Sequence, residues 1–365
     1  MPSSRRVFLS IIGGGIVLAA GGAAGFAFTR TPTKALAPWE QAGDYAEPRR
    51  RALSYAILAP NPHNRQPWRV SLSTPNEIAI WRDKTKNLPH TDPHDRQLTI
   101  GMGCFLEQLS IAATATGHAV TFELFPDGDN GPVAVAQFHS GAAPDPLAEH
   151  MLARRSCKEP FALTPVNREP ALLALADIHS EPNMVAQIRA LTWQAWITEA
   201  TTPRTIKESV DLFRLGKTEI ENSPDGIDLG GPFLETLMAV GALTREGQLD
   251  PNSSEFRQTI AIYKEMLEAT PAYAVLRTAN NSRESQIDAG RRWLRLNLAA
   301  TALGLSLHPV SQALQEYPEM AVHYRAIHEL LATSGETVQM LGRLGYGPDV
   351  AQSPRWPLDA KIMQG

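Results

Sequence analysis

The chain has 365 residues, 43% hydrophobic and 20% charged, enough for two ordinary domains or one large one. Its formal charge of −4 gives no basic face for nucleic acid. The two cysteines, Cys104 and Cys157, match no zinc or redox spacing and cannot build a disulfide framework, so both read as free thiols.

Residues 1–37 read as a segment apart from the fold. Ser4-Arg5-Arg6-Val7-Phe8-Leu9 precedes an apolar, Gly/Ala-rich run over residues 11–28, and no acidic residue comes before Glu40. A basic start followed by a weakly hydrophobic run is a targeting pattern, and this one is similar to a twin-arginine export signal. A membrane anchor is the alternative, because the run is about long enough to span a bilayer. Ala35-Leu36-Ala37 has the small-x-small form of a cleavage site, with Pro38 as an obstacle directly after it. The expectation is an exported, periplasmic protein handled by the twin-arginine machinery, touching the membrane only through its N-terminus.

Residues 31–48 then read as a Pro-containing linker, and 49–58 as a helix stopping at Pro60. Pro60-Asn61-Pro62-His63-Asn64-Arg65-Gln66-Pro67-Trp68 follows, with prolines to fix the backbone, amides to read a polar edge and an indole to pack on something flat. Residues 68–72 and 77–81 alternate like paired strands. His90 and His94 stand at i, i+4, but Pro89 and Pro93 forbid a helix through them, so a solvated loop is expected rather than a metal pair. A small-residue helix over 98–117 precedes strands at 120–125 and 133–138.

Aligning Gly103 with Gly290 places Ala112-Ala113-Thr114-Ala115 on Ala299-Ala300-Thr301-Ala302 and Gly117 on Gly304. Matched small residues let two helices approach closely, which predicts a symmetric helix pair from an internal duplication; chance agreement of Ala-rich helices is the alternative. The second half opens with a helix over 147–155 delivering Arg154-Arg155-Ser156-Cys157-Lys158, two guanidiniums, a hydroxyl and an ammonium suited to a phosphate and an anionic ring edge. A helix over 166–179 and a strand over 185–193 are expected next. Residues 203–279 read as a mostly helical insert with Gly/Pro hinges, either an arm over the other half or a site, or packing material. A strand at 305–310, a helix at 320–331 and a strand at 337–344 complete the chain. The domain expectation is thus 1–37, a first half 38–143 and a second half 144–365.

Together these motifs resemble the flavin-dependent nitroreductase family, closest to its exported single-chain duplicated branch. Arg-Arg-Ser-x-Lys, Asn-x-Gln-Pro-Trp, a central helix ending Ala-Ala-x-Ala-x-Gly-Leu, Gly345-Tyr346 and Pro354-Arg355-x-Pro357 occur in family order. The resemblance implies an α+β, nitroreductase-like fold: antiparallel-rich central sheets flanked by helices, with two fused halves forming a monomeric pseudo-dimer. It implies one flavin mononucleotide (FMN) site and one degenerate site, since each half lacks the other's motif. Arg154, Arg155, Ser156 and Arg355 would hold the phosphate, and Lys158 would face the N1/C2 carbonyl edge. Asn61, Pro62 and Asn64, with Gln66 in the same loop, would come from the opposite half, and Val310, Ser311 and Gln312 would lie near N5. Ser353 departs from the pattern, standing where a further basic residue is common. The implied function is an oxidoreductase passing electrons to a small acceptor such as a nitroaromatic or quinone, or a flavin-holding protein with little turnover. A scaffold that binds no flavin is the third reading. No G-x-G-x-x-G follows a strand, which disfavours a Rossmann fold.

Overall fold

The computed structural model describes residues 29–364; the export-signal reading at residues 4–28 lies outside them. Helix α1 (Thr33–Glu40) occupies the stretch expected to be a linker: burial of Ala35, Pro38 and Trp39 overrides the cost of Pro38 inside a helix. Helix α2 (Pro48–Ala56) starts on a proline, with the Glu47 side chain accepting from the Arg49 and Arg50 amides. Strands β1 (Trp68–Ser71) and β2 (Glu77–Arg82) pair antiparallel as expected. Helix α3 (Arg96–Thr114) follows, then β3 (His118–Leu124) and β4 (Ala134–Ser140), giving a four-stranded antiparallel sheet of order β1-β2-β4-β3.

Three expectations for the second half need correction. Residues 147–155 form only a 3-10 turn, Pro146–His150, so Arg154 and Arg155 emerge on irregular chain. Within 166–179, Pro170 sets the start of a helix that runs for only one turn, α4 (Pro170–Leu173), and Asp177–His179 is an edge strand, β5. Residues 185–193 are not a strand but belong to α5 (Pro182–Thr201). Buried Val185, Ile188, Thr192, Ala195 and Glu199 keep three- and four-residue spacing, and Pro182 sets the first turn, so helical period outweighs β-rich composition.

The insert comprises α6 (Pro203–Asp211), β6 (Phe213–Leu215), α7 (Gly216–Asn222), β7 (Ile227–Leu229), α8 (Pro232–Ala239), α9 (Arg245–Leu249) and α10 (Ser254–Glu268), with β6 and β7 parallel. It ends earlier than residue 279, because Ala272–Thr278 is β8, an inner strand of the second sheet. Helix α11 (Arg283–Ala302), β9 (Ser306–Pro309), α12 (Ala321–Leu331) and β10 (Thr337–Gly345) complete that sheet in the order β5-β8-β10-β9, again antiparallel.

Between the two sheets α3 and α11 pack face to face. A Cβ on Gly103 would lie 2.2 Å from the Ile287 carbonyl oxygen, and one on Gly290 2.0 Å from that of Ile100. Backbone therefore touches backbone at the crossing, as the matched glycines predict. The main core spans both halves, uniting Trp68, Phe105 and Ile80 with Trp293, Leu294 and Leu307. Beyond Gly345 the chain returns to the first half, where Ile362 bridges to Val70 on the edge strand β1.

Candidate functional site

The loop after α2 is held in an unusual backbone: His63, Asn64 and Gln66 all have positive φ, at 46°, 51° and 49°. Asn61 Oδ1 accepts from the Gln66 amide at 2.7 Å and closes the loop. Asn61 and Pro62 pack on the first turns of α3, where a Cβ at Gly101 would come within 3.1 Å of each. Gln66 is buried and both ends of its amide are occupied: Nε2 donates to the Pro224 carbonyl at 2.6 Å, and Oε1 accepts from the Trp356 amide at 2.9 Å. Asn64 Nδ2 donates to the Pro354 carbonyl at 3.0 Å. Gln66 and Asn64 thus tie the loop to the tail and the insert.

Residues 154–158 run beside β9, where Ser156 bridges to Leu307. This carries Arg154 to the end of α2. Arg154 Nη2 and Arg355 Nη2 each donate to the Leu58 carbonyl at 3.1 Å, so guanidiniums from the second half converge on backbone from the first. Arg355 also reaches Asn64 Oδ1. Arg155 lies with its guanidinium carbon 4.9 Å from the Trp39 ring centre, and Arg355 with its own at 5.6 Å. Arg154 and Arg355 are only 3% and 2% exposed. Among the described residues none of the three guanidiniums has a carboxylate within ion-pair range. Arg154 Nε and Nη1 and Arg355 Nε have no acceptor. Burial lowers Arg154 to about 10 and, with repulsion from Arg154, Arg355 to about 9, so both stay charged at neutral pH. Buried donors with no acceptor in a cationic cluster that no carboxylate pairs directly are what a phosphate monoester would satisfy.

Lys158 is exposed. Its charge acts on His63 of the loop, His308 of β9 and Asp228 of β7. Desolvation, then Lys158 and Arg65, lowers His63 to about 4; burial, Arg343 and Lys158 likewise keep His308 neutral. Asp228 is exposed on β7, yet desolvation by the atoms around it raises its carboxyl, opposed by Lys158 and Arg355. Val310 is buried in the second core, and Ser311 Oγ donates to Gln97 Oε1 at 3.1 Å. Gln97 precedes Gly101 by about one helical turn, so Ser311 and the Asn61-Pro62 pair both meet the first turns of α3. Behind them Gln315 Nε2 donates to buried Glu199 at 2.6 Å, and burial raises that carboxyl to about 7.

The chain between Pro224 and Asp228 docks directly on the loop. The Gly226 amide donates to the Asn64 carbonyl at 3.3 Å. Buried Asp225 takes Lys86 at 2.6 Å, Arg65 at 3.1 Å and Arg214 at 3.4 Å. The insert therefore covers the loop. Trp39, His308, Asp225 and Asp228 were missed in the sequence; Asn222-Ser223-Pro224-Asp225-Gly226 reads there only as a hinge. His90 and His94 are exposed, and no metal-ligating cluster occurs among the described residues. A shallow cavity of about 260 Å³ beside β5, lined by Arg168, Asp177, His179 and Arg277 among others, contains none of these site residues.

No family profile matches the chain. It is 25% identical over 317 residues, 83% of its length and 86% of the relative's, to a Mycobacterium tuberculosis protein named "Putative NAD(P)H nitroreductase Rv3131". It is 32% identical over 120 residues to the M. tuberculosis protein of similar name, acg, covering 31% of this chain and 36% of that one. The crystal structure of the FMN-dependent nitroreductase NfnB from Mycobacterium smegmatis in complex with NADPH covers 60% of this chain and 98% of its own, at 19% identity and a TM-score of 0.39. Similarity running along 83% of the chain thus supports the nitroreductase family.

Proposed function

We propose that the protein binds one FMN at the seam between its halves and acts as a nitroreductase-like oxidoreductase, passing electrons to a small acceptor such as a nitroaromatic or quinone. The observation that carries this reading is the cluster of Arg154, Arg155 and Arg355, in which Arg154 Nε and Nη1 and Arg355 Nε are buried without acceptors and which meets the end of α2 from the other half. The relative named for NAD(P)H nitroreduction adds support.

When bound, the flavin supplies the electron transfer. Arg154, Arg155, Ser156 and Arg355 would hold its phosphate, and Lys158 would meet the ring edge where negative charge accumulates. Asn61 and Pro62 would pack on the ring, with residues 310–312 on the N5 side. His63 and His308, neutral at pH 7, add no charge beside Lys158. The N-terminal pattern supports export, with electrons supplied by a donor available outside the cytoplasm. Among the described residues no helix is long and apolar enough to cross a membrane.

A second reading, a protein that holds flavin with little turnover, is favoured by the docking of Pro224 and Asp225 over the loop. Anaerobic mixing of the flavin-loaded protein with NADPH, and separately with a quinol, should bleach the yellow spectrum. No bleaching with any donor would leave only the second reading. Arg154→Ala with Arg155→Ala should lose the flavin; full occupancy in that variant would mean the phosphate lies elsewhere.

A further inference from the structure

Four contacts tie α1 to the guanidinium cluster and the tail that carries Arg355, although nothing in the sequence marks residues 33–40 as part of a site. The Trp39 ring stacks under Arg155 at 4.9 Å and Arg355 at 5.6 Å. Its Nε1–H donates to the Ser353 carbonyl at 2.8 Å, and the Arg355 amide donates to the Ala35 carbonyl at the same distance. Trp39 and Ala35 are both buried. Stacking on an indole face uses none of a guanidinium's in-plane N–H groups; in Arg355 Nη1 and Nη2 are held by Asn64, Ser353 and backbone carbonyls, which fixes the fork and leaves its Nε without an acceptor. The nitrogens left without acceptors, Arg154 Nε and Nη1 and Arg355 Nε, belong to the same array.

We propose that α1 is a working wall of the anion site, in which Trp39 is a positioning residue that holds Arg155 and Arg355 to receive a phosphate monoester. The inference rests on the FMN reading above and adds α1, which straddles the expected start of the first half at residue 38, as a further contributor. It also places Ala35-Leu36-Ala37-Pro38 inside a docked helix, so cleavage after Ala37 would cut through the site.

The test compares FMN with riboflavin, which shares the ring but lacks the phosphate. The wild-type protein should prefer FMN, and Trp39→Leu should reduce that preference about tenfold, the loss of roughly two exposed-scale cation–π contacts. Riboflavin affinity should stay unchanged, and Trp39→Phe should retain most of the preference. Inorganic phosphate should compete with FMN more weakly in Trp39→Leu than in wild type. An undiminished FMN-to-riboflavin ratio in Trp39→Leu overturns the inference. If Arg154→Ala with Arg155→Ala also leaves the ratio intact, the FMN reading itself fails; if that double variant loses it, only the role of α1 does. Limited proteolysis of wild-type protein gives a readout independent of any variant's folding: FMN should protect residues 33–40 and riboflavin should not. Equal protection by both would overturn the proposal.

Discussion

The Asp225 carboxylate sits among Lys86, Arg65, Arg214 and the Ser223 hydroxyl, with no exposure of its own. Burial pushes its pKa up, but the hydrogen bonds from Lys86 and Ser223 and the charges of Lys86 and Arg65 outweigh that, and the net shift is downward. Removing it leaves three crowded cations unpaired, so Asp225→Ala should destabilise the protein by about 3 kcal/mol. A lowered urea midpoint at unchanged slope would register this; an unchanged midpoint would contradict it. Glu199 behaves oppositely. Burial raises it to about 7 from an ordinary 4.5, so between those values the folded state binds more protons than the unfolded one. Its contribution is fully present below pH 4.5 and is lost as pH rises through 7. Glu199→Gln should therefore flatten the stability profile in that window, removing a slope worth roughly 3 kcal/mol in total. An identical profile in the variant would mean the carboxyl is not held protonated.

At the scale of elements, the crossing of α3 and α11 has no room for a side chain. Gly103→Ala and Gly290→Ala each aim a Cβ at a backbone carbonyl of the facing helix, which cannot swing aside as a side chain could. Each should cost about 3 kcal/mol or prevent folding, while Gly128→Ala, whose Cβ would meet nothing within 4 Å, should cost only the roughly 1–2 kcal/mol strain of an alanine at its positive φ of 66°. Thermal unfolding of the three variants checks the contrast. The helix pair was legible because contact between backbones demands glycine at fixed spacing, a constraint that stays local in sequence. Residues 185–193 were misread because Val185, Ile188 and Trp193 suit strands by composition, and only the burial pattern over twenty residues reveals the helical period. β8 was hidden for a related reason: buried on both faces, Ala272–Thr278 shows no alternation to distinguish it from the helices before it.

Across the whole molecule, the cationic motif occurs only in the second half and the Asn/Pro/Gln loop only in the first. One flavin per chain is therefore expected, and flavin absorbance against protein concentration measures it; a ratio near two would contradict the single site. The convergence of Arg154, Arg155 and Arg355 was legible because these residues carry their charge in their residue types. The cover was not: Asp225 meets Arg65 across 160 positions, and no local pattern records such a pairing. Trp39 escaped notice because the prolines around it read as linker.

The C-terminal tail threads the halves together. Arg355 stands in the cationic cluster, while six residues later the Lys361 carbonyl accepts from the Val70 amide at 2.9 Å and the Met363 amide donates to the Val70 carbonyl at 2.8 Å. A short ribbon thus runs from the guanidinium cluster to an outer edge of the first sheet. Mechanical load applied at the carboxyl end, by a tether, a bulky fusion or a solid support, would peel that edge pairing and slacken the arginine array while both sheets remained intact.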